Sequence, residues 1–260
     1  MIVALACQLI LLAAICFGLV VLFRLPPVLA VGMILIAAAP GGTTANLYSH
    51  LFRGDVALNV TLTAINSIVA LFTLPLLTNF AISVFLPDSE GLGIQFSKAV
   101  EVFLIVLVPV LLGMLVRRLA PRFADRMDTP VRIASMLILA IVIVGALISN
   151  RELFFSNLGS LAGITILFCA ISLTVGFFVP RLFRVEPRQA VASSFEIGIH
   201  NATLAIVIAQ SVLQNEEMSL PAAVYGVLMF FVALGFGFLV RRAVPAGAPV
   251  AQPAATTAAG

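Results

Sequence analysis

The sequence predicts an all-α polytopic membrane protein, and three observations carry that expectation. Apolar residues make up 62% of the 260 and charged residues only 10%, against roughly 25% charged in a soluble domain. Apolar stretches long enough to span a ~30 Å hydrocarbon core recur along the whole length, and mean hydropathy is +1.20. The stretches are continuous, whereas outer-membrane barrels alternate apolar and polar residues in short segments. The net charge of +3 gives no reason to invoke nucleic acid, because basic residues flanking membrane helices report orientation. The implied partner is the lipid bilayer.

In chain order, hydropathy and helix breakers give about eight crossings: 2–23, 28–52 (broken), 56–86, 96–118, 131–149, 158–179, 187–213 (broken) and 220–241. The first run lacks a basic leader and is too long for a secretory signal, so it reads as a span. Asp55, after Gly54, is positioned to cap the third crossing, and Pro187 fits the first turn of the seventh. Cys7, Cys16 and Cys169 lie inside apolar spans without metal or disulfide spacing, so they read as small core residues. The segment 243–260, rich in Ala, Pro and Thr, lacks a hydrophobic pattern and reads as a disordered tail.

Charge tests the count. Eight crossings place Arg53, Arg117, Arg118, Arg122, Arg126, Arg132, Arg181, Arg184, Arg188, Arg241 and Arg242 on one side, and only Arg24, Lys98 and Arg151 on the other. Eleven of the fourteen basic residues therefore share the side of both termini, which the positive-inside rule assigns to the cytoplasm. The expected location is a cell membrane of the bacterial inner-membrane type.

Two crossings are interrupted. Crossing two opens Pro27-Val28-Leu29-Ala30-Val31 and breaks at Pro40-Gly41-Gly42; crossing seven opens Pro187-Arg188-Gln189-Ala190-Val191 and breaks near Gly198. They run in opposite directions, and interrupted segments in matching positions of inverted halves point to a transporter's midplane site. At the first break, proline removes a backbone donor and the glycines permit non-helical dihedrals. The freed carbonyls need partners, supplied by a bound cation or by Thr43, Thr44 and Asn46. The half-helix that follows, about 13 Å long at ~1.5 Å per residue, presents a partly positive N-terminus suited to an anion.

Glu196 is the most informative residue. A carboxylate at bilayer depth costs at least ~2.5–3.5 kcal/mol and so usually faces the protein interior with a function. No Lys or Arg lies away from the ends of the apolar spans to pair with it, which leaves a proton or a bound cation such as Na⁺. His200 stands four residues on. Gln8, Asn59, Thr61, Thr63, Asn66 and Ser67 are further intramembrane polar groups, and the spacing puts Asn59, Thr63 and Asn66 on one helix face. No Ser/His/Asp or His-rich metal constellation points to an enzyme.

Pro40-Gly41-Gly42-Thr43 with Asn46, Arg53-Gly54-Asp55-Val56-Ala57-Leu58, and Glu196-Ile197-Gly198 with Asn201 resemble the bile acid:sodium symporter family. The similarity runs along essentially the whole chain to Arg242. It implies a fold of ten helices in two inverted five-helix repeats, divided into a core and a panel domain. Two discontinuous helices would cross in the core beside two Na⁺ sites that share one glutamate, with an organic anion between the domains. Eight helices align with the third to tenth, so the resemblance implies that the first two are lacking. On that frame 1–86 is the remainder of the first repeat, 96–149 panel-type helices, and 158–241 the core of the second repeat.

Residue by residue, the resemblance makes Glu196 the shared ligand, with Asn46, Asn59 and Thr63 in the first Na⁺ site. Gln8, with the Ile197 and Ile199 carbonyls and His200, falls in the second. Thr44, Asn201 and Ala202 fall at the substrate. Three positions depart from the family pattern: Ala45 stands for a serine, Asn59 for a hydroxyl residue, and His200 for a glutamine. A neutral imidazole is a poor Na⁺ ligand and titrates near neutral pH. The expected function is a sodium-coupled symporter importing a small organic anion, with Na⁺ as coupling ion and no organic cofactor. The alternatives are proton coupling through Glu196 and His200, or a truncated, non-transporting membrane protein.

Overall fold

The computed structural model describes residues 1–88, 93–94, 118–149 and 151–243, with isolated positions at 100, 104, 112 and 115–116. The span expected at 96–118 and the tail beyond Ala243 lie outside these residues, apart from those positions. The described chain is helical throughout, with a single isolated backbone bridge. Its helices are α1 Ile2–Leu22, α2 Pro27–Ala38, α3 Thr44–Leu51, α4 Val56–Phe85, α5 Pro121–Ser149, α6 Arg151–Leu182, α7 Pro187–Gly198, α8 Ala202–Val212 and α9 Leu220–Val240. Among them α1, α4, α6 and the α9 segment are long and apolar enough to cross a membrane. The protein is an all-α, multi-pass membrane protein.

Local chemistry sets most of the ends. Pro27 and Pro187 sit in the first turns of α2 and α7, where a missing N–H costs nothing. Asp55 caps α4, its carboxylate accepting from the Leu58 N–H at 3.0 Å. α5 begins ten residues and α6 seven residues before the apolar spans expected there. Apolarity marks what enters the lipid, while a helix continues through its solvated polar ends.

Both α2 and α7 are 12 residues long, about 18 Å at ~1.5 Å per residue, so each stops near the middle of a ~30 Å core. Their approaches match closely. Leu22-Phe23-Arg24, Pro27 and Ala30-Val31 recur 160 residues later as Leu182-Phe183-Arg184, Pro187 and Ala190-Val191. Arg24 and Arg184 both take left-handed conformations, φ 50° and 59°. The same pair of backbone bonds closes the preceding helices α1 and α6: Arg24 N–H to Val21 O and Leu25 N–H to Val20 O, then Arg184 N–H to Arg181 O and Val185 N–H to Pro180 O. Glycine usually fills such a position, and an L-residue there costs roughly 1–2 kcal/mol.

The interior is assembled by close backbone approach. A methyl on Gly176 would lie 2.7 Å from Ser194 Cα, and one on Gly32 would lie 2.3 Å from the Met218 carbonyl. Small residues let membrane helices gain contact where water offers no driving force. Outside, Ile10, Val21, Phe72, Leu76, Phe80, Phe178 and Phe231 are exposed, an apolar surface suited to lipid tails. The three cysteines are buried and unpaired, as core residues should be.

Candidate cation and substrate site

The two interruptions meet. Gly42 N–H donates to Ile199 O at 2.7 Å, Asn201 N–H donates to Pro40 O at 2.8 Å, and Gly41 and His200 form the antiparallel bridge. This corrects one expectation: the backbone freed at each break is satisfied largely by the other break, ahead of nearby side chains. The bridge places the α3 and α8 N-termini beside one another. Asn201 caps α8, accepting from the Leu204 N–H at 3.0 Å.

Glu196, on the last turn of α7, is 1% exposed and faces this crossing. Its neighbours are neutral donors. Thr63 Oγ1 lies 2.5 Å from Oε2, and Asn66 Nδ2 lies 3.4 Å from Oε1. The Gly41 amide addresses the carboxylate as well. A methyl on Gly41 would stand 2.3–2.5 Å from the carboxyl atoms, so position 41 must lack a side chain for the carboxylate to sit there.

On the Oε2 side, α3, α4 and α7 converge. Asn59 Nδ2 donates to Ser49 Oγ at 2.5 Å and to Ala192 O at 2.9 Å. That leaves Asn59 Oδ1 buried without a partner, and Asn46 Oδ1 and Ser193 Oγ are in the same condition. Thr63 Oγ1 is also within 3.0 Å of Asn59 O, and its one proton serves a single acceptor at a time. Asn59, Thr63 and Glu196 are thus linked across α4 and α7, and the unpartnered oxygens include Asn59 Oδ1 on α4 and Asn46 Oδ1 on α3. Such oxygens are costly unless something binds them, and oxygen donors are what a small hard cation takes.

The Oε1 side is wired differently. Asn66 Nδ2 also donates to Gln8 Oε1, and Gln8 Nε2 lies 3.4 Å from Ala39 O. Gln8 sits in a π-helical turn of α1, Cys7–Leu12, a local widening that re-aims side chains. His200 Nδ1 is 3.1 Å from the same Ala39 carbonyl. The fully buried imidazole stacks on Phe168 and meets Tyr225 edge-on. Ile199 O accepts from Gly42, and Gly198 O accepts from Tyr225 Oη at 2.9 Å. Ile197, next to last in α7, has its side chain buried.

A cavity of about 140 Å³ opens beside the crossing. Gly42, Thr43 and Thr44 line one side, His200, Asn201, Ala202 and Thr203 the other, and Met229 and Phe230 of α9 close it. All three residues expected at the substrate, Thr44, Asn201 and Ala202, are among them. Asn66, which spacing already put on the face of Asn59 and Thr63, was not assigned to the site. Gly41 was expected only as a helix breaker and Ser49 not at all, since their roles here depend on the crossing.

Comparison with known proteins agrees with this architecture. The profile of the sodium bile acid symporter family matches residues 1–157. A probable sodium/metabolite cotransporter BASS2, chloroplastic, of Oryza sativa subsp. japonica is 26% identical over 235 residues, 88% of this chain and 54% of that protein. The uncharacterized sodium-dependent transporter YocS of Bacillus subtilis (strain 168) is 25% identical over 226 residues, 87% of this chain and 68% of that protein. The P3 protein of Homo sapiens is 29% identical over 198 residues, 74% and 40% respectively. The chain spans about half the length of most of the curated relatives it matches. With 157 of its 260 residues under the family profile, the chain belongs to the sodium bile acid symporter family.

Proposed function

We propose that the chain is a sodium-coupled secondary transporter that carries a small organic anion inward across a bacterial-type inner membrane, with both termini cytoplasmic. The observation that carries this reading is the buried Glu196 carboxylate, met by Thr63, with the unpartnered amide oxygen of Asn59 one helical turn from Thr63 and that of Asn46 on α3. Na⁺ is bound by oxygen, and it meets the carboxylate's charge without a basic side chain. Glu196, Asn46, Asn59 and Thr63 hold the ion. Holding it ties α3 and α4 to α7 and so stiffens the crossing.

The anion occupies the neighbouring cavity, where the α3 N-terminus favours negative charge and Thr43, Thr44 and Thr203 offer hydroxyl donors. These donors suit a carboxylate or sulfonate group. Relatives named as sodium/metabolite cotransporters and sodium-dependent transporters support the same assignment. Transport follows as core helices rock against panel helices about the loaded site.

The test is uptake of radiolabelled two- to seven-carbon monocarboxylates and sulfonates into proteoliposomes. Uptake should require an inward Na⁺ gradient and should be abolished in Glu196→Gln. Uptake driven equally by a pH gradient in choline would replace Na⁺ with protons, and no uptake of any anion would favour a non-transporting role.

A further inference from the structure

The two oxygens of Glu196 face unlike surroundings, and the difference sets how many ions the site takes. On the Oε2 side Thr63 meets the carboxylate, and one helical turn away Asn59 Oδ1 is buried and unpartnered, as is Asn46 Oδ1 on α3. On the Oε1 side the polar groups are committed to one another. Asn66 spans Glu196 and Gln8, so the one carbonyl oxygen of Gln8 is engaged by an N–H donor. The Gln8 amide nitrogen and His200 Nδ1 both approach Ala39 O. Since that carbonyl can only accept, His200 carries its proton on Nδ1. The Ile199 carbonyl is taken by Gly42 and the Gly198 carbonyl by Tyr225. His200 Nε2 is buried without a partner, a nitrogen lone pair on a ring held between Phe168 and Tyr225.

We infer that His200 closes the Oε1 side of Glu196 as a hydrogen-bonded lock, so that the protein binds a single Na⁺ per cycle, on the Oε2 side. The inference rests on the proposed sodium coupling and goes beyond it by fixing stoichiometry and naming its determinant. A hard cation loses little by leaving one nitrogen donor. To enter the Oε1 side, however, it would meet the N–H donors of Asn66, Gln8 and His200 turned toward the oxygens it needs, with Ala39 O already shared by two of them. Such a network is strongest when fully satisfied. Glutamine at position 200 would replace the ring by an amide that carries its own carbonyl oxygen. It would also free Ala39 O to turn toward an ion. One cation with a monoanion makes the cycle electroneutral.

Equilibrium binding of ²²Na⁺ to the purified chain, in the absence of any organic anion, tests this directly. Wild type should bind one ion per protein with a Hill coefficient of one, and His200→Gln should bind two. Wild-type binding of two ions overturns the inference. So does a folded His200→Gln protein that still binds one, because it removes His200 as the determinant. Should His200→Gln fail to fold, the wild-type stoichiometry decides alone. No saturable ²²Na⁺ binding, with none lost in Glu196→Gln, sinks the sodium reading itself and this inference with it. A stoichiometry of two leaves the sodium reading intact.

Discussion

At the scale of single residues, position 41 and position 59 carry different burdens. Gly41 matters through what it lacks: its hydrogen is where a methyl would meet the Glu196 carboxyl at 2.3–2.5 Å. Gly41→Ala must push the carboxylate off the crossing. It should lower Na⁺ affinity at least tenfold, or about 1.4 kcal/mol, in a ²²Na⁺ competition assay. Asn59 matters through what it joins. Asn59→Leu strips donors from Ser49 Oγ and Ala192 O at once. Orphaning a buried acceptor costs about 1–3 kcal/mol, more than the ~0.6 kcal/mol average for one interhelical hydrogen bond in a membrane. A lowered unfolding midpoint in detergent should accompany the loss of ion binding. If stability is unchanged, the two bonds carry no weight.

At the scale of elements, the sequence was readable where a local rule acts. Proline at the first turn of α2 and α7 and the Asp55 cap of α4 were legible because each depends on neighbours within four residues. Asp55→Ala should cost about 1 kcal/mol in unfolding free energy and leave Na⁺ affinity within twofold, a useful contrast to Gly41→Ala. The bridge between Gly41 and His200 was not legible. It joins residues 159 apart, and no spacing rule acts over that distance. The π-helical turn around Gln8 was hidden for a related reason, since an apolar helix with one extra residue per turn has the same composition as one without. The longer echo of Leu22-Phe23-Arg24 in Leu182-Phe183-Arg184 was present in the letters. It acquired meaning only when both arginines proved to be left-handed.

At the scale of the molecule, lipid explains the inside-out appearance of α4, α6 and α9, whose exposed residues are largely Phe, Leu, Ile and Val. The polar groups have been withdrawn to the crossing. On the proposed topology the basic residues sort by side, eleven on the side of the termini and three on the other. Because the native cysteines are buried, orientation is open to labelling. An impermeant maleimide should modify Arg151→Cys in right-side-out vesicles and Arg122→Cys only in inverted ones; the reverse pattern would invert the proposed topology. Glu196 ties the scales together. The carboxylate is carried by α7 and held by side chains of α4 and the backbone of the first break, and Asn59 of α4 and Asn46 of α3 keep unpartnered oxygens. These oxygens are proposed to bind Na⁺.

The most direct measurement is thermal unfolding in detergent, titrated with NaCl, KCl or choline chloride at constant ionic strength. A ligand that binds only the folded state stabilises by about 2.7 kcal/mol at a hundred times its Kd. Wild type should therefore gain a saturable rise in Tm with Na⁺ alone, and Glu196→Gln should gain none. Equal shifts with all three salts, or a Na⁺ shift that survives in Glu196→Gln, would contradict the account.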